Sequence, residues 1–461
     1  MKALRRLSVV GALCLSLTAM AQEITPELMQ RLQSGYQPTA QDRAIRNAVG
    51  KVDMRTLVFN QEALDGVFDT HFTYRVPQVG ITDQKQSGRC WLFCGLNILR
   101  ADMHKQHPDM PAVQFSQGYL FFYDQLEKSN MFLQTVIDTR SLPMDDRKVE
   151  TLFSSPVSDG GTFTGVANLV NKYGLVPKEV MHETYNANNT GRMHQILVLK
   201  LREFGLELRQ MRGSAKQLQH RKEEQLQVIY RLLCLTLGTP PQNFTWTERN
   251  KQDSIVSTED YTPRSFADKY TSSELTHDYV MLMNDPSREY YKMYEVDMDR
   301  HTYEGDNWCY LNVPIEDMQE VAIASLKDSV AMYIGCDVGK ELDSERGYLS
   351  MDNYDYGSLL GLDFPMDKRQ RVLTRASGST HAMALVAVDL QGDKPVKWMV
   401  ENSWGEKSGY QGHLIMTDQW FHEYMFRLVA LNKYVPERLK AKLNQKPIRL
   451  PMWDPMFMAE D

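Results

Sequence analysis

The sequence predicts an α+β protein in which a mainly helical lobe packs on a mainly β-sheet lobe. Apolar residues with helical spacing follow Cys90 and recur across 100–127, so the helical lobe comes first along the chain. Short apolar runs with strand character cluster near the end, at 381–390, 398–401 and 413–416. The chain has 461 residues, of which 42% are hydrophobic, and this composition supports one large domain or two modest ones.

Residues 1–21 have the three-part composition of a secretory signal peptide. A basic start is followed by an apolar run at 7–17 and by the small-x-small sequence Ala19-Met20-Ala21. The apolar run is too short to span a bilayer. We therefore expect cleavage near Ala21, export to the periplasm or the outside of the cell, and no stable membrane anchor.

A lipoprotein signal is the alternative interpretation of this leader, with Cys14 as the lipid acceptor. Leu13, directly before it, is larger than the residue that such sites usually contain, so simple export is favoured. Cleavage removes three basic residues and no acidic one, which changes the formal net charge from −7 to −10. A net acidic chain without clusters of lysine and arginine does not favour a nucleic-acid partner.

Two segments stand apart from the predicted lobes. Residues 22–70 are mixed and polar, and we interpret them as a leader that wraps the main domain, 71–461. The segment at about 190–280 is predicted to be mainly helical, since helical spacing of apolar residues recurs at 193–208 and 217–237. A helical decoration with no role in activity is the simpler interpretation of this segment.

Between this helical segment and the final strands, helical and strand-like patterns alternate. Strands are predicted at 279–283, 291–296 and 331–334, and an amphipathic helix is predicted at 315–330. These elements connect the helical lobe to the sheet lobe, and the predicted cleft lies between the two.

The candidate nucleophile is Cys90, which opens the first helical run six residues after Gln84. A helix N-terminus lowers the pKa of a thiol through its positive dipole end and unpaired N–H groups, which favours the reactive thiolate. The side-chain amide of Gln84 and the backbone N–H of Cys90 are then candidate donors to an oxyanion. A buried structural cysteine is the alternative, and it is the commoner fate of a single Cys.

A base and its orienter are predicted far down the chain. His381 begins one predicted strand, and Asn402 follows the end of another. His381 would take the proton from Cys90, Asn402 would hold the imidazole in its working tautomer, and Trp404 would screen that bond from water. Taken singly, His381 fits a satisfied core histidine and Asn402 fits a turn residue. The combination with Cys90 favours catalysis.

The other cysteines and histidines do not predict a disulfide framework or a metal site. Five cysteines remain after leader removal, and their odd number and irregular spacing argue against a framework. Cys94 lies one helical turn after Cys90, is expected in the core, and lacks the second ligand pair of a zinc site. His182-Glu183 starts like a metalloprotease motif, but Asn186 stands where the second histidine is needed.

The order Cys, His, Asn and the spacing of Gln84 from Cys90 resemble the papain-like cysteine peptidases, and most closely their bleomycin hydrolase and aminopeptidase C branch. The papain signature Cys-Gly-Ser-Cys-Trp reads Ser-Gly-Arg-Cys-Trp at 87–91, so the first disulfide cysteine is missing and an arginine precedes the nucleophile. That branch has both departures. Further similar segments lie at 159–161, 168–177, 335–340 and 450–456.

The resemblance implies a papain-like two-lobe fold and several features of the site. Gly160 and Gly161 are implied to form an edge that pairs with a peptide substrate, whereas a plain turn is the simpler interpretation. The tail 450–461 is implied to lie in the cleft, where the carboxylate of Asp461 attracts the α-ammonium of the substrate.

His381 lies 291 residues after Cys90, whereas a minimal papain fold needs about 130–150, so the segment at about 190–280 is implied to be an insertion. This insertion is implied to make subunit contacts in a homohexamer.

The resulting functional prediction is an exported cysteine aminopeptidase that hydrolyses N-terminal residues from peptides through a thioester, without a metal or an organic cofactor. One alternative is transglutaminase-like acyl transfer to an amine, which products formed with and without added amine would distinguish. Another is a catalytically inactive peptide-binding scaffold. The complete set of Gln84, Cys90, His381 and Asn402 favours an enzyme.

Overall fold

The computed structural model of the protein describes residues 23–64, 69–271 and 274–457. The predicted signal peptide, with Cys14 of the alternative lipoprotein interpretation, lies outside the described residues, as does Asp461 at the end of the predicted tail.

The described residues form helices and strands throughout, as the α+β prediction requires. The helices are α1 (Pro26–Gly35), α2 (Ala40–Val49), α3 (Met54–Leu57), α4 (Gln61–Leu64), α5 (Cys90–Gln106), α6 (Gln117–Asp138), α7 (Arg147–Ser154), α8 (Phe163–Tyr173), α9 (Tyr185–Asn188), α10 (Gly191–Gln210), α11 (Ala215–Leu237), α12 (Pro263–Tyr270), α13 (Leu275–Asp278), α14 (Ile315–Lys327), α15 (Tyr356–Leu360), α16 (Lys368–Leu373), α17 (Asp418–Tyr424) and α18 (Glu437–Leu443).

The strands are β1 (Tyr74–Arg75), β2 (Phe244–Arg249), β3 (Ile255–Tyr261), β4 (Tyr279–Met283), β5 (Met293–Val296), β6 (Cys309–Asn312), β7 (Met332–Cys336), β8 (Leu342–Asp343), β9 (Tyr348–Leu349), β10 (His381–Gln391), β11 (Lys394–Glu401), β12 (His413–Thr417), β13 (Met425–Leu431) and β14 (Ile448–Leu450). Short 3-10 turns lie at Asn432–Tyr434 and Pro455–Phe457.

The described residues divide into two compact units, and the first combines residues 23–59 with 354–363. In this unit α1 and α2 begin after Thr25 and Thr39, whose hydroxyls accept hydrogen bonds from backbone N–H groups three residues later. The ring of Phe59 meets the ring of Tyr354 edge-on, with centroids 5.5 Å apart, which joins the internal segment to the N-terminal helices. The predicted role of 22–70 as a wrapping leader stays a prediction.

The second unit combines the described residues of 60–353 with 364–457 and is built on one large sheet. Its strand order is β14-β5-β6-β4-β13-β7-β10-β11-β12-β9-β8, and β1 pairs with β10. Within the sheet β10 lies between β7 and β11, and both of these neighbours are antiparallel to it. The strand that begins with His381 is therefore an inner strand of the sheet.

Helix α5 packs on β10 and begins at Cys90, where the sequence predicted the start of a helical run. Twelve of its 17 residues are buried, including Trp91, Leu92, Leu96 and Leu99. The burial extends around the helix, so α5 is a central core helix and not the amphipathic surface helix that a single apolar face would give.

The helical pattern predicted across 100–127 is interrupted at 107–116, because α5 ends at Gln106 and α6 begins at Gln117. Pro108 and Pro111 lie in the gap, and a proline removes a backbone donor and clashes with the preceding helical turn. The hydroxyl of Ser116 then accepts a hydrogen bond from the N–H of Tyr119 at 3.1 Å and starts the new helix.

The predicted insertion contains the expected helices α10 and α11, which pack against α6. It also contains a hairpin that the helical prediction missed, formed by β2 and β3. Gly238 ends α11 with a φ of 92°, and Pro240-Pro241 prevent the helix from resuming. The alternating threonines of 245–247 then favour a strand.

Several boundaries outside the insertion agree with the predictions. Strand β4 spans the predicted residues 279–283, and β10, β11 and β12 include the predicted strands 381–390, 398–401 and 413–416. Helix α14 ends three residues before the predicted boundary of residue 330. In the part of the chain that the structure describes, none of the helices is long and apolar enough to cross a membrane.

Candidate active site

Cys90 is buried at the start of α5, with 3% of its surface exposed. Arg89 before it makes no side-chain capping bond to the helix, but its carbonyl accepts hydrogen bonds from the N–H groups of Leu92 and Phe93, both at 3.0 Å. The next residue, Trp91, donates its indole N–H to the carbonyl of Asp159 at 2.7 Å. This bond ties the start of α5 to the segment that contains Gly160 and Gly161.

The sheet brings His381 and Asn402 together. His381 is the first residue of β10, and Asn402 directly follows β11, its antiparallel neighbour. The Nε2 atom of His381 lies 2.9 Å from Oδ1 of Asn402, and both residues are buried. The indole of Trp404 lies against the imidazole with ring centroids 5.0 Å apart. The predicted partners are thus in contact, and the predicted aromatic neighbour covers them.

The hydrogen bonds of Asn402 determine the tautomer of His381. The backbone N–H of Ser403 donates to the same Oδ1 atom at 2.8 Å, which identifies this atom as the amide oxygen. Nε2 of His381 must therefore carry a proton and donate it to Asn402. The other ring nitrogen, Nδ1, is then unprotonated in the neutral ring and is able to accept a proton.

Burial lowers the pKa of His381 to about 4, while the hydrogen bond to Asn402 acts in the opposite direction. The imidazole is therefore neutral at neutral pH, which is the form that a general base requires. A thiolate formed beside it would offset the cost of a buried imidazolium, because opposite charges attract strongly in a medium of low dielectric constant.

Gln84 is buried, and hydrogen bonds hold its side-chain amide at both ends. Nε2 donates to the carbonyl of Ser87 at 2.6 Å, and Oε1 accepts from the hydroxyl of Ser403 at 2.6 Å. The backbone N–H of Gln84 also donates to the carbonyl of Ser403 at 2.8 Å. An amide nitrogen has two hydrogens, so one remains for an oxyanion after the bond to Ser87 is made.

Ser403 was not among the predicted site residues, although it directly follows Asn402. Its backbone N–H fixes the amide of Asn402 and its hydroxyl fixes the amide of Gln84. The residue therefore connects the predicted oxyanion donor to the predicted base and orienter. Its only signal in the sequence is its position next to Asn402.

Gly160 and Gly161 lie beside the start of α5. Lys128 donates its ammonium to the carbonyl of Gly160 at 2.6 Å. A Cβ atom on Gly161 would lie 2.7 Å from the indole of Trp91 and 2.4 Å from the imidazole of His301, so only glycine fits at this position. This packing explains the glycine at 161, and the predicted pairing with a peptide stays a prediction.

A buried His–Asp pair, which the sequence did not predict, lies behind Gly161. Nδ1 of His301 is 2.5 Å from a carboxylate oxygen of Asp124, and Lys128 is 3.0 Å from the other carboxylate oxygen. Burial, reinforced by the nearby Lys128, lowers the pKa of His301. Lys128 and His301 lower the pKa of Asp124 in spite of its burial, so the pair consists of a neutral imidazole and a carboxylate.

The described part of the tail borders a cavity of about 330 Å³ that is also lined by Gly160 and Gly161. Trp453 packs against the guanidinium of Arg147 at 4.6 Å, and Asp454 forms an ion pair with Arg288. Met456 is buried, and its carbonyl accepts a hydrogen bond from Arg427 at 2.5 Å. The tail is thus anchored next to the glycine pair, and Asp461 lies beyond the described residues.

Within residues 23–64, 69–271 and 274–457, no group of three or more His, Cys, Asp or Glu side chains is arranged to hold a metal ion. In the same part of the chain, none of the five cysteines is in a disulfide; they are Cys90, Cys94, Cys234, Cys309 and Cys336.

Residues 23–457 match the model of the Peptidase C1-like family. The chain belongs to the Peptidase C1-like family. The match includes the predicted nucleophile, base and orienter, and the architecture described above is that of a papain-like α+β fold.

Several curated proteins and a solved structure are similar to this chain over most of its length. Bleomycin hydrolase of Homo sapiens is 39% identical over 399 residues, which are 84% of this chain and 88% of that protein. Aminopeptidase G of Lactobacillus delbrueckii subsp. lactis is 35% identical over 437 residues, or 94% and 99%. The crystal structure of pepw from Lactobacillus rhamnosis has a TM-score of 0.90 at 34% identity and covers 95% of this chain and 100% of its own.

Proposed function

We propose that this Peptidase C1-like protein is a cysteine aminopeptidase that hydrolyses N-terminal residues from peptides, with Cys90 as its nucleophile. The observation that carries the proposal is the contact between His381 and Asn402, which leaves Nδ1 of a neutral imidazole ready to accept a proton. Relatives named aminopeptidase and bleomycin hydrolase support the reaction class. The relatives do not favour acyl transfer to an amine or an inactive peptide-binding scaffold.

In the proposed first step, Nδ1 of His381 takes the proton of the Cys90 thiol, and the thiolate attacks the carbonyl carbon of the first peptide bond. The carbonyl oxygen becomes an oxyanion, to which Nε2 of Gln84 and the backbone N–H of Cys90 donate hydrogen bonds. As the tetrahedral intermediate collapses, His381 gives its proton to the leaving amine. The products are a thioester on Cys90 and a shortened peptide.

In the second step, a water molecule attacks the thioester while His381 accepts one of its protons. A second oxyanion forms in the same position and uses the same donors. Its collapse breaks the carbon–sulfur bond, and the proton on His381 returns to the thiolate of Cys90. The N-terminal amino acid is released, and no metal or organic cofactor takes part in either step.

The proposal is tested by comparing a set of unblocked peptides with their N-acetylated copies, using mass spectrometry to follow the loss of single N-terminal residues. The expected result is stepwise shortening of the unblocked peptides only. Internal cleavage of both sets would instead indicate an endopeptidase, and transfer products in the presence of added amine would indicate a transferase.

We further propose that the tail, 450–461, restricts the enzyme to free N-termini. The support is the anchoring of Trp453, Asp454 and Met456 beside the cavity that Gly160 and Gly161 line. A chain end held on this side of the cleft would block subsites for longer substrates, and the carboxylate of Asp461 would attract the α-ammonium.

Deletion of 457–461 tests the gate, with a control in which the same five residues are replaced by glycine and serine. The deletion should allow cleavage of N-blocked peptides that the intact enzyme ignores. The replacement keeps the length and the terminal carboxylate, so it should retain the requirement for a free amine. If the deleted form still requires a free amine, the tail is not the gate.

We also propose a homohexamer with α10 and α11 at its subunit contacts. Both helices carry large apolar side chains that are exposed in the single chain: Ile196, Leu199, Leu206, Val228, Tyr230 and Leu235. An exposed apolar surface of this kind is typical of a protein–protein interface. Size-exclusion chromatography with light scattering should show six copies. The Leu199→Glu, Leu235→Glu double variant should dissociate, while the neighbouring Gln227→Glu should not.

Export is proposed on the composition of residues 1–21. The expected mature protein begins at Gln22. N-terminal sequencing of protein from the native envelope measures this directly, and a start at Met1 or a lipid on Cys14 would contradict it.

A further inference from the structure

Arg89, the residue before the candidate nucleophile, is completely buried. Its Nη1 atom forms an ion pair with Glu183 at 2.8 Å, and its guanidinium lies over the rings of Phe93 and Phe121 at 5.1 and 5.2 Å. A buried arginine is costly unless it is paired and hydrogen-bonded, so the surrounding groups fix its position. Two aromatic faces and one carboxylate hold it in place.

The Nε atom of Arg89 donates to the hydroxyl oxygen of Ser87 at 3.0 Å. An arginine has no acceptor atom, so the direction of this bond is not in doubt and the hydroxyl proton of Ser87 must point elsewhere. It points to the carbonyl of Gln84, which is 2.6 Å away. The bonds therefore run in one direction from Arg89 through Ser87 to Gln84, and each polarises the next.

Ser87 and Gln84 are also joined in the reverse direction, because Nε2 of Gln84 donates to the carbonyl of Ser87 at 2.6 Å. The side-chain hydroxyl of Ser87 thus fixes the backbone of Gln84, and the backbone of Ser87 fixes the amide of Gln84. Displacement of Ser87 would break both bonds. The orientation of the remaining N–H of Gln84 consequently depends on the group that holds Ser87.

Glu183 belongs to a segment that holds the loop at a second point. The backbone N–H of Gln86 donates to the carbonyl of Asn188 at 3.0 Å, and the N–H of Thr190 donates to the carbonyl of Gln86 at 3.2 Å. The segment 183–190 therefore supports loop 84–89 through one side-chain ion pair and two backbone bonds. Of these three, only the ion pair depends on the side chains present.

We propose that Arg89 is a positioning residue for the oxyanion donor: held by Glu183, it fixes Ser87 and thereby directs the side-chain amide of Gln84. This inference rests on the proposed function, since it concerns the oxyanion of the same reaction. The oxyanion exists only in the transition state and the tetrahedral intermediate, so loss of Arg89 lowers kcat and leaves KM nearly unchanged.

The test is a double-mutant cycle that combines Arg89→Met with Gln84→Ala. In the wild-type background, Arg89→Met should lower kcat by about 10- to 100-fold, which is less than the loss expected for deletion of the donor itself. In the Gln84→Ala background it should lower kcat by less than about 2-fold, because the group that it positions is already absent. Equal losses in the two backgrounds would overturn the proposal.

A second measurement separates the oxyanion donor from the nucleophile. Alkylation of Cys90 by iodoacetamide forms no oxyanion, so its rate should be the same in wild type and in Arg89→Met. A fall in alkylation that matches the fall in kcat would show that Arg89 acts on the thiol and would overturn the proposal. If wild type is alkylated but hydrolyses no peptide, the proposed function fails instead.

Ser87→Ala and Glu183→Gln provide the same tests if Arg89→Met does not fold. Ser87→Ala removes the hydroxyl between Arg89 and Gln84, and Glu183→Gln removes the charge that holds Arg89. Each variant should lower kcat without changing the alkylation rate. Arg89→Lys keeps the charge but lacks the second donor arm, and it should rescue kcat only in part. Arg249→Met, in the exposed hairpin, is the matched control and should leave kcat unchanged.

Discussion

The two halves of the candidate site are held in place by different kinds of interaction. Before its junction with α5, loop 84–89 has only isolated backbone bonds, from Gln84 to Ser403 and from Gln86 to the segment 183–190. The rest of its support comes from side chains, namely the bonds of Gln84 and Ser87 and the ion pair of Arg89 with Glu183. His381 instead begins a strand whose backbone is hydrogen-bonded to neighbours on both sides. The hydrogen bonds between strands join backbone atoms, so they form with many different side chains. A side-chain network is lost when one of its residues is replaced. Single substitutions are therefore expected to disturb the oxyanion donor more readily than the base.

Side-chain contacts join these halves in addition to the backbone bond from Gln84 to Ser403. The hydroxyl of Ser403 donates to Gln84, and Arg100 in α5 forms a buried ion pair with Glu401 at 3.0 Å, one residue before Asn402. The first contact acts on the donor itself, while the second connects the helix of Cys90 to the strand that leads to Asn402. The following variants test how far each part determines activity or stability.

The largest effect is expected for Cys90→Ala, which removes the nucleophile while the strands that hold His381 remain intact. Turnover should fall by about 10⁴-fold or more with little change in melting temperature. Steady-state hydrolysis and circular dichroism measure the two quantities. Cys94→Ala, one turn along the same helix, is the control and should keep turnover. Residual activity of Cys90→Ala near the wild-type level would refute the assignment.

Gln84→Ala should lower kcat by about 10²–10³-fold, because one oxyanion donor is lost from a buried site. The helix and the sheet keep their own backbone bonds, so the fold should persist. Hydrolysis of a single peptide over a range of concentrations separates kcat from KM. A rise in KM at constant kcat would mean that Gln84 binds the ground state and is not an oxyanion donor.

Glu401→Gln tests the connection between the halves through the pH dependence of stability. Burial raises the pKa of Glu401 to about 7, from 4.5 for a free side chain, against the opposing effect of Arg100. The folded protein therefore binds a proton between these pH values that the unfolded chain has released. This proton on Glu401 stabilises the folded protein. Its contribution to the free energy of unfolding is complete below pH 4.5 and is lost as the pH rises through 7.

Between these pH values the titration of Glu401 lowers the free energy of unfolding by about 3 kcal/mol. Glutamine does not titrate, so Glu401→Gln should remove this part of the pH dependence. Urea unfolding at several pH values measures the difference between the two proteins. The variant should show the flatter profile. Parallel profiles would mean that Glu401 has the same pKa in the folded and unfolded states.

The smallest effect is expected for Ser403→Ala. Removal of one hydroxyl donor to Gln84 should cost about 1 kcal/mol of transition-state stabilisation, or about a 5-fold loss in kcat. The backbone N–H that fixes Asn402 is unchanged, so the tautomer of His381 should be preserved. Ser254→Ala in the exposed hairpin serves as the control. A loss as large as that of Gln84→Ala would show that Ser403 also acts on the base.

The sequence predicted the parts of the site that have a local signal. Cys90 begins a helix, His381 begins a strand and Asn402 follows one, and each of these positions is visible as a change in apolar spacing. The site assignments themselves stay predictions that the variants above test. The break at 107–116 contains Pro108 and Pro111, but the helical spacing of apolar residues on either side of it masks the interruption.

The side-chain networks had no such signal. Arg89 and Glu183 are 94 residues apart, Asp124 and His301 are 177 apart, and Gln84 and Ser403 are 319 apart. No periodicity connects residues at such distances, and the resemblance showed only that an arginine stands at 89. Their pairing follows from the way in which the helices pack on the sheet.

The most direct test of the account is to identify the thiol whose modification stops hydrolysis. Limiting iodoacetamide is added at neutral pH, and peptide mapping by mass spectrometry is compared with the remaining activity toward an unblocked peptide. The account predicts that one label per chain, on Cys90, accounts for the whole loss of activity. Loss of activity that follows labelling of Cys94 or Cys336, with Cys90 unmodified, would contradict it.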